Sequence, residues 1–558
     1  MMNFKLLLKR KKSLVLVFLL LAVVIFPSKR QFVEGNNILN KYLPLIEDEK
    51  INYIRMDSSL YQLWKVFQGF GNEEARDFAK QRAIDMKGEL VRVVLEIDPE
   101  RIDGVKHQVR ALEGKLETSY KGLVQILIPV YSLQNLSKLS EIKHVRPPLK
   151  PLLCSITSEG VAVTGADYWQ SIDSFHPEED SVKVAILDSG FEGYEDLLGI
   201  ELPDSVTVRS FRKDEDIHIT RHGTACAEIV HDMAPEARLW LINYETEIEF
   251  YNAVDYLIGQ GINIISYSMG WVNAGAGNGT GPICSQVKKA DDNGIVWISA
   301  AGDEANNHWQ GYFSDPDKDT WNNFYADDDT LQFNCNKGSL LQVFLNWNDW
   351  NEWNEAENKY SGSDQDYDLY LYKEIGESKL SLVAYSSNAQ TGGQWPVESL
   401  EYNVSETGTY HLKIKNRNTS RNCKLELFIR NAYGLQYLKP EESLIIPADS
   451  SYSISVGATI WENDAYYSFS SQGPTSTGRI KPDYCAPAGV FTASYQELGF
   501  SGTSAATPCL AGAFALLKAK TGYSLDEIEI MIQNRALDLG PSGKDNKFGW
   551  GRLRLVIY

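Results

Sequence analysis

The chain has 558 residues, which is more than a single hydrophobic core usually covers, so several structural units are expected. Hydrophobic residues make up 43% of it and aromatic residues 11%, proportions typical of a globular protein. Its formal net charge of -20 excludes a broad phosphate-binding surface, and we therefore expect no nucleic-acid partner.

Residues 1–30 have the composition of a signal peptide or an N-terminal membrane tether. A cationic run at 9–12 precedes an apolar stretch from Leu14 to Phe26. As a helix this stretch would span about 20 Å, short of the roughly 30 Å hydrocarbon core of a bilayer, which favours an export signal. No clear small-residue cleavage motif follows, so a tether remains the alternative. Both alternatives predict a secreted or extracytoplasmic protein.

Residues 31–150 contain a small α+β unit at about 90–146. The strand-like segment ELVRVVLEID is followed by the helical PERIDGVKHQVRALEG and then by KLETSYKGLVQILIPV, which again has strand character. Pro147-Pro148 closes the unit.

From about residue 182, short apolar runs alternate with helical segments. Such alternation predicts an α/β fold with a mostly parallel sheet covered by helices on both faces. In these sheets the reactive edge is formed by the carboxyl ends of the strands. The predicted strands are VKVAILD (182–188), ARLWLINY (237–244), INIISYSMG (262–270) and GIVWISAAG (294–302).

Three residue types needed for acyl transfer occur at positions that can meet at this edge. Asp188 ends the first strand, His222 begins a helix in RHGTACAEIV, and Ser504 begins a late helix in FSGTSAATPCLAG. A serine hydroxyl is a poor nucleophile until a base removes its proton, and an imidazole base needs a carboxylate to fix its tautomer. An acid, an imidazole and a serine at one sheet edge are therefore the set that acyl transfer needs.

These residues and their flanks resemble the subtilisin-like serine proteases, or subtilases. The matching motifs cover about 182–303 and 450–555. In chain order the motifs are VAILDSG, HGTACAEIV, ISYSMG, SAAGD, SFSSQGPTSTGRIKPDYCAPA, SGTSAATPCLAG and KFGWGRL. The resemblance implies a three-layer α/β/α domain that hydrolyses peptide bonds through an acyl-enzyme. It further implies that Ser504 is the nucleophile, His222 the general base and acid, and Asp188 its orienting partner. The implied chemistry requires no cofactor and no catalytic metal.

One position departs from the family pattern. Asp303 occupies the place where subtilases usually have Asn, whose side-chain amide donates to the developing oxyanion. An ionised carboxylate has no proton to donate and would repel the oxyanion. Three interpretations are open: Asp303 donates as a neutral acid, Asn306 or Asn307 replaces it as donor, or the oxyanion hole is broken and the fold serves as a binding module.

The resemblance also assigns a substrate-binding strand. Ser268, Met269 and Gly270 match the subtilase segment that lines the pocket for the residue before the scissile bond and pairs with substrate as an added strand. Trp271 follows this segment, and we expect a modest apolar preference from it.

The seven cysteines have neither CxxC pairs nor metal-ligand spacing, which argues against a zinc site. Cys335 and Cys423 bracket a β-rich stretch and form the only disulfide we predict. Cys226 lies one helical turn after His222, and Cys509 follows Ser504; we interpret both as small buried residues.

Asp303 and Ser504 are separated by more residues than is usual in subtilases, and the surplus lies at about 310–440. Segments such as DYDLYLYK and GTYHLKIKN predict an inserted β-sandwich between catalytic segments at 151–309 and 441–558. Its aromatic residues form either a sheet core or a binding surface. Acidic clusters at 314–319, 326–329 and 363–368 raise structural calcium as a possibility without EF-hand spacing.

By resemblance, the unit at 90–146 is a propeptide that blocks the cleft until it is cleaved between about 147 and 165. The alternative is a permanent N-terminal domain. The favoured function is an exported serine endopeptidase that is made as a zymogen, with protein or peptide substrates and its own propeptide as inhibitor. The alternative is a catalytically silent or weak subtilase fold that binds peptides or cell-surface material.

Overall fold

A computed structural model describes residues 31–32, 55–82, 84–149, 152–153, 159–172, 182–376, 379–495 and 499–556. The predicted signal or tether at 1–30 and Cys154 lie outside these ranges. Within the described ranges, none of the helices has both the length and the apolar character needed to cross a membrane.

The N-terminal part is an α+β unit built on an antiparallel sheet. The sheet has the order β2-β3-β5-β4, with β6 also paired to β3. Along β3, Val93 and Leu95 enter the core of the unit, whereas Val94 joins the core beneath the catalytic sheet. The unit is therefore packed directly on the catalytic domain. Its elements are α1 (Ser58–Phe70), α2 (Asn72–Gln81), β2 (Met86–Lys87), β3 (Leu90–Ile97), α3 (Ile102–Ala111), β4 (Lys115–Tyr120), β5 (Leu123–Pro129), α4 (Leu133–Ser137) and β6 (Ile142–Arg146). Two short strands lie on either side of the unit in the sequence: β1 (Gln31–Phe32), which pairs with a strand of the insertion, and β7 (Leu152–Leu153).

The first catalytic segment alternates strands and helices, as the spacing of its apolar runs predicts. Its elements are α5 (Val161–Thr164), α6 (Ala166–Gln170), β8 (Lys183–Asp188), α7 (Tyr194–Leu197), β9 (Thr207–Ser210), α8 (His222–Met233), β10 (Arg238–Asn243), α9 (Glu247–Gly259), β11 (Ile264–Tyr267), β12 (Met269–Gly270), α10 (Pro282–Asp291) and β13 (Val296–Ala300). At the start of helix α9, Glu249 Oε2 accepts hydrogen bonds from the backbone N–H groups of Glu245 and Thr246, at 2.9 and 3.1 Å.

The insertion is a two-sheet β-sandwich. One sheet has the order β1-β20-β19-β22-β15 and the other β14-β23-β16-β21. Strand β16 alternates buried and half-buried residues over its whole length, as expected of a strand with one face in the core. Its strands are β14 (His308–Tyr312), β15 (Leu331–Cys335), β16 (Leu340–Trp347), β17 (Trp353–Asn354), β18 (Lys359–Tyr360), β19 (Asp366–Glu374), β20 (Lys379–Ser386), β21 (Val397–Asn403), β22 (Gly408–Asn418) and β23 (Lys424–Arg430).

The second catalytic segment completes a seven-stranded parallel sheet. It contributes β24 (Ser453–Ile460), β25 (Tyr484–Ala488), α11 (Thr503–Thr521) and α12 (Leu525–Arg535). The sheet order is β25-β24-β13-β11-β8-β10-β9, and every pair in it is parallel. Alternate residues of β8 face the two sides: Val184 and Ile186 pack towards α8 and α11, and Ala185 and Leu187 towards α9 and α10. The predicted three-layer α/β/α fold is confirmed.

The insertion also contacts the N-terminal unit. A single hydrophobic cluster joins buried residues of α1 and β3 to buried residues of β16, β19 and β22. Polar contacts border it: Arg82 Nη2 donates to the Tyr385 carbonyl oxygen at 3.0 Å, and the Ser58 N–H donates to Asn388 Oδ1 at 2.6 Å. The N-terminal unit is thus held between the catalytic sheet and the insertion.

The predicted Cys335–Cys423 disulfide is wrong. Both residues are buried free thiols. Cys335 ends β15 at the edge of one sheet, whereas Cys423 precedes β23 in the interior of the other. Burial raises the pKa of the Cys335 thiol to about 12, so it stays protonated and unreactive at neutral pH.

Two acidic residues of β19 make the stability of the chain dependent on pH. Burial, followed by repulsion from Asp368, raises the pKa of Asp366 to about 7, and burial raises that of Asp368 to about 6. The folded chain therefore keeps protons that the unfolded chain loses near the ordinary carboxyl pKa. Stability from these groups is greatest in acid and declines as the pH rises towards about 7.

We expect Asp366→Asn to remove part of this dependence, since an amide cannot ionise. Relative to the native chain, the variant should gain thermal stability at about pH 7.5 and gain less at about pH 5. Thermal melting at both pH values measures this difference, and Asp364→Asn, at an exposed neighbouring position, is the matched control. An equal effect of Asp366→Asn at both pH values would contradict the prediction.

Candidate active site

Asp188 and His222 form a buried hydrogen-bonded pair at the carboxyl edge of the parallel sheet. Asp188 is the last residue of β8 and His222 the first of α8, and their side chains are 0% and 4% exposed. His222 Nδ1 lies 2.8 Å from Asp188 Oδ1 and 2.9 Å from Oδ2. Because Nδ1–H donates its hydrogen bond to the Asp188 carboxylate, the basic lone pair of the imidazole is on Nε2.

Close packing of α8 on β8 makes this pair possible. A Cβ atom on Gly223 would lie 2.6 Å from the Gly190 carbonyl oxygen and 2.9 Å from Asp188 Cβ. Only glycine therefore lets the helix begin so near the strand end. The Phe500 ring packs against the imidazole, with ring centroids 5.2 Å apart and ring planes inclined by 64°.

Ser504 joins this pair from the opposite helix. It is the second residue of α11 and fully buried, and its hydroxyl donates to the Ser268 carbonyl oxygen at 3.0 Å. Cys226 connects the two helices: its Sγ lies within 4.8 Å of ligand atoms of Asp188 and His222, and 3.7 Å from the Ser504 carbonyl oxygen. The structure thus brings together Asp188, His222 and Ser504, which are far apart in sequence.

Asp303 lies at the amino terminus of the helix that carries Ser504. Its Oδ1 accepts hydrogen bonds from the Thr503 backbone N–H at 3.0 Å and from the Thr503 hydroxyl at 2.9 Å. A negative charge is favoured at this end of a helix. Asp303 therefore acts as an acceptor towards α11, a contact that sequence reasoning did not predict.

Asn306 and Asn307, the alternative donors, make other contacts. The Asn306 amide donates to Ser468 Oγ at 3.3 Å, and the backbone of Asn307 bonds to Glu304 and Ile429. None of these contacts involves α8 or α11, so they lend no support to a replacement donor from this loop.

The predicted substrate strand is already paired with another part of the chain. Met269 and Gly270 form β12, which is antiparallel to β7, with Met269 opposite Leu153 and Gly270 opposite Leu152. Ser268, just before β12, donates its hydroxyl proton to the Ser504 carbonyl oxygen at 2.9 Å. A segment that follows the N-terminal unit therefore lies along the strand next to Ser504.

The family of the chain follows from comparison with known proteins. Residues 179–324 and 431–551 match the model of the subtilase family, and these two stretches flank most of the inserted sandwich. The chain belongs to the subtilase family. A further match is the extracellular serine protease of Serratia marcescens, 48% identical over 56 residues, which are 10% of this chain and 5% of that protein.

Solved subtilase structures resemble this one at low sequence identity. The CspB protease of Clostridium perfringens has a TM-score of 0.48 and 15% identity, over 71% of this chain and 97% of that one. The epidermin leader peptide processing serine protease of Staphylococcus aureus has a TM-score of 0.43 and 13% identity, over 84% of this chain and 97% of that one.

Other side chains singled out in the sequence have structural contacts in this subtilase. Cys226 and Cys509 are buried, as expected, and burial raises the pKa of Cys509 to about 12.

The carboxylates of Asp315, Asp317 and Asp319 lie within 4.8 Å of one another on a partly exposed loop, where Asp315 accepts bonds from the backbone N–H groups of Asp319 and Thr320. Calcium binding stays a prediction.

We expect Asp303→Asn to accelerate the reaction of Ser504 at about pH 7.5. Asn keeps an oxygen for the Thr503 contacts and adds an N–H group, and a single oxyanion donor contributes about 10²–10³ in turnover. The second-order rate constant for labelling by a fluorophosphonate should therefore rise on the order of 10-fold or more. Asp303→Ala, which supplies neither group, is the control and should show no gain. A slower reaction in Asp303→Asn would show that the native carboxyl group is itself the better donor.

Proposed function

We propose that this subtilase is an exported serine endopeptidase, made as a zymogen, in which Asp188, His222 and Ser504 form the catalytic triad. The observation that carries the proposal is the buried Asp188–His222 hydrogen bond beside Ser504. A buried carboxylate that is hydrogen-bonded to an imidazole fixes the tautomer in which the imidazole can remove the proton of a serine hydroxyl.

In the proposed reaction, the Ser504 hydroxyl turns from the Ser268 carbonyl oxygen to His222 Nε2. Nε2 accepts the proton as Oγ forms a bond to the substrate carbonyl carbon, and Asp188 stabilises the resulting imidazolium. His222 then returns the proton to the leaving amine as the peptide C–N bond breaks. A water molecule, deprotonated by the same nitrogen, hydrolyses the acyl-enzyme and regenerates Ser504. The backbone N–H of Ser504, in the first turn of α11, is the proposed oxyanion donor.

The N-terminal unit is the proposed inhibitor. Next to β7, the Leu149 N–H donates to Glu247 Oε2 at 3.0 Å, and Arg146 forms a 2.7 Å ion pair with Glu247 Oε1. The Glu247 side chain is only 1% exposed, so loss of Arg146 would leave a buried carboxylate without its countercharge. These contacts anchor the chain just before β7, and a strand paired with β12 denies the same backbone groups to a substrate.

We further propose that the chain cleaves itself between Cys154 and Ser155, the two residues that follow Leu153 in the sequence. The antiparallel register opposes Met269 with Leu153, and Ser268 comes immediately before Met269. In the proposed cleavage complex, Cys154 would continue this register by one residue and lie opposite Ser268, whose carbonyl oxygen contacts the Ser504 hydroxyl.

A second candidate function rests on Asp303. A carboxylate beside Ser504 opposes the negative charge of a tetrahedral intermediate, which favours a fold that binds peptides along β12 and cleaves them slowly or not at all. The antiparallel pairing of β7 with β12 supports this candidate, because it is a backbone-to-backbone contact along that strand.

Labelling with a fluorophosphonate serine probe, from about pH 4.5 to 9, distinguishes the two functions. We expect the processed native chain to be labelled, because the probe requires an activated serine. Ser504→Ala should abolish labelling, whereas Ser501→Ala, a matched change in the preceding loop, should preserve it. A folded, processed native chain that stays unlabelled at every pH would reject the endopeptidase and favour the binding function.

A further inference from the structure

Ile445 fills the space between two glycines of the substrate cleft. Its side chain is 1% exposed. A Cβ atom built on Gly270 would overlap the Ile445 side chain, and one built on Gly302 would lie 3.0 Å from both Ile445 Cγ1 and Cγ2. The two glycines thus leave a space that Ile445 occupies in this subtilase.

Both glycines that border this space lie close to Ser504, the proposed nucleophile. Gly270 belongs to β12, and Ser268, two residues earlier, contacts the Ser504 hydroxyl through its carbonyl oxygen. On the other side, the Gly302 N–H donates to Thr503 Oγ1 at 3.2 Å, one residue before Ser504. A substrate strand paired with β12 would bring the side chain that precedes its scissile bond to the opening between these two walls.

Backbone hydrogen bonds fix Ile445 in place. Its N–H donates to the Ala301 carbonyl oxygen at 3.1 Å. The next residue, Ile446, exchanges two backbone hydrogen bonds with Trp271, at 2.8 and 2.9 Å. Segment 445–446 therefore bridges both walls and cannot withdraw without breaking these bonds.

The insertion supports the Ile445 side chain from behind. Ile445, Val272 and Phe428 form a buried cluster with Phe344 packed against it. Phe428 lies on β23 and Phe344 on β16, so two strands of the sandwich back the isoleucine. Movement of Ile445 away from the cleft would require displacement of these rings.

We propose that Ile445 is a specificity-determining residue, which closes the pocket and restricts cleavage to sites after a small residue such as Gly, Ala, Ser or Cys. This inference rests on the proposed endopeptidase function. The proposed self-cleavage falls after Cys154, whose side chain is small, as this inference requires.

Trp271 does not provide the apolar preference expected from the sequence. It is 1% exposed, its Nε1 donates to the Tyr267 hydroxyl at 2.7 Å, and its ring packs against Tyr244 and Phe250. The indole belongs to the core beneath the sheet.

The test compares hydrolysis of a peptide series that differs only in the residue before the scissile bond: Ala, Leu and Phe. For the processed native chain, we expect kcat/KM for Ala to exceed that for Phe at least 10-fold. Ile445→Gly should open the pocket, so that the Phe to Ala ratio of kcat/KM rises at least 10-fold. Ile530→Ala, which truncates an exposed isoleucine on α12, is the control and should leave this ratio within about threefold of native.

The outcomes separate the inference from the function on which it rests. A native chain that is labelled at Ser504 but prefers Leu or Phe would overturn the inference alone. An Ile445→Gly variant that still hydrolyses the Ala peptide but has an unchanged Phe to Ala ratio of kcat/KM would also overturn it. A native chain that neither reacts with the fluorophosphonate nor hydrolyses any peptide would reject the proposed function, and the inference with it.

Discussion

The hydrogen bond between Asp188 and His222 is the constraint on which the rest of the site depends. A carboxylate that is 0% exposed must be compensated by hydrogen bonds, and here His222 Nδ1 and the Ser189 N–H and hydroxyl contact it. These contacts hold the imidazole in one tautomer at the end of β8. The parallel sheet then places β11 beside β8, which brings Ser268 and the amino terminus of α11 to the same edge.

The insertion and the N-terminal unit pack on each other, and the N-terminal unit also packs on the catalytic domain. The sandwich packs on the N-terminal unit through a shared hydrophobic cluster, and two of its phenylalanines lie against Ile445 in the cleft. The same insertion thus contacts both the proposed inhibitor and the proposed specificity residue. This arrangement explains why a domain inserted between Asp303 and Ser504 does not disrupt the site: its first and last strands, β14 and β23, pair with each other and bring the catalytic segments back together.

The sequence was informative about the catalytic fold because each strand is an apolar run of characteristic length and each site residue directly follows or begins an element. The sequence was uninformative about contacts between segments that are distant in the chain. Nothing in Asp303 itself predicts its two bonds to Thr503, and the burial of Ile445 between two glycines depends on three segments that are distant in the chain. The disulfide prediction failed for the same reason, since proximity to a β-rich stretch does not place two thiols in the same sheet.

The amino-terminal sequence of the processed protein, determined for the native chain and for Ser504→Ala, tests the central claim most directly. If β7, which follows the N-terminal unit, occupies the place of a substrate on β12 and Ser504 is the nucleophile, the native chain should acquire a new amino terminus at Ser155, and Ser504→Ala should remain uncut. A native chain that stays intact, or an identical new terminus in Ser504→Ala, would contradict the account.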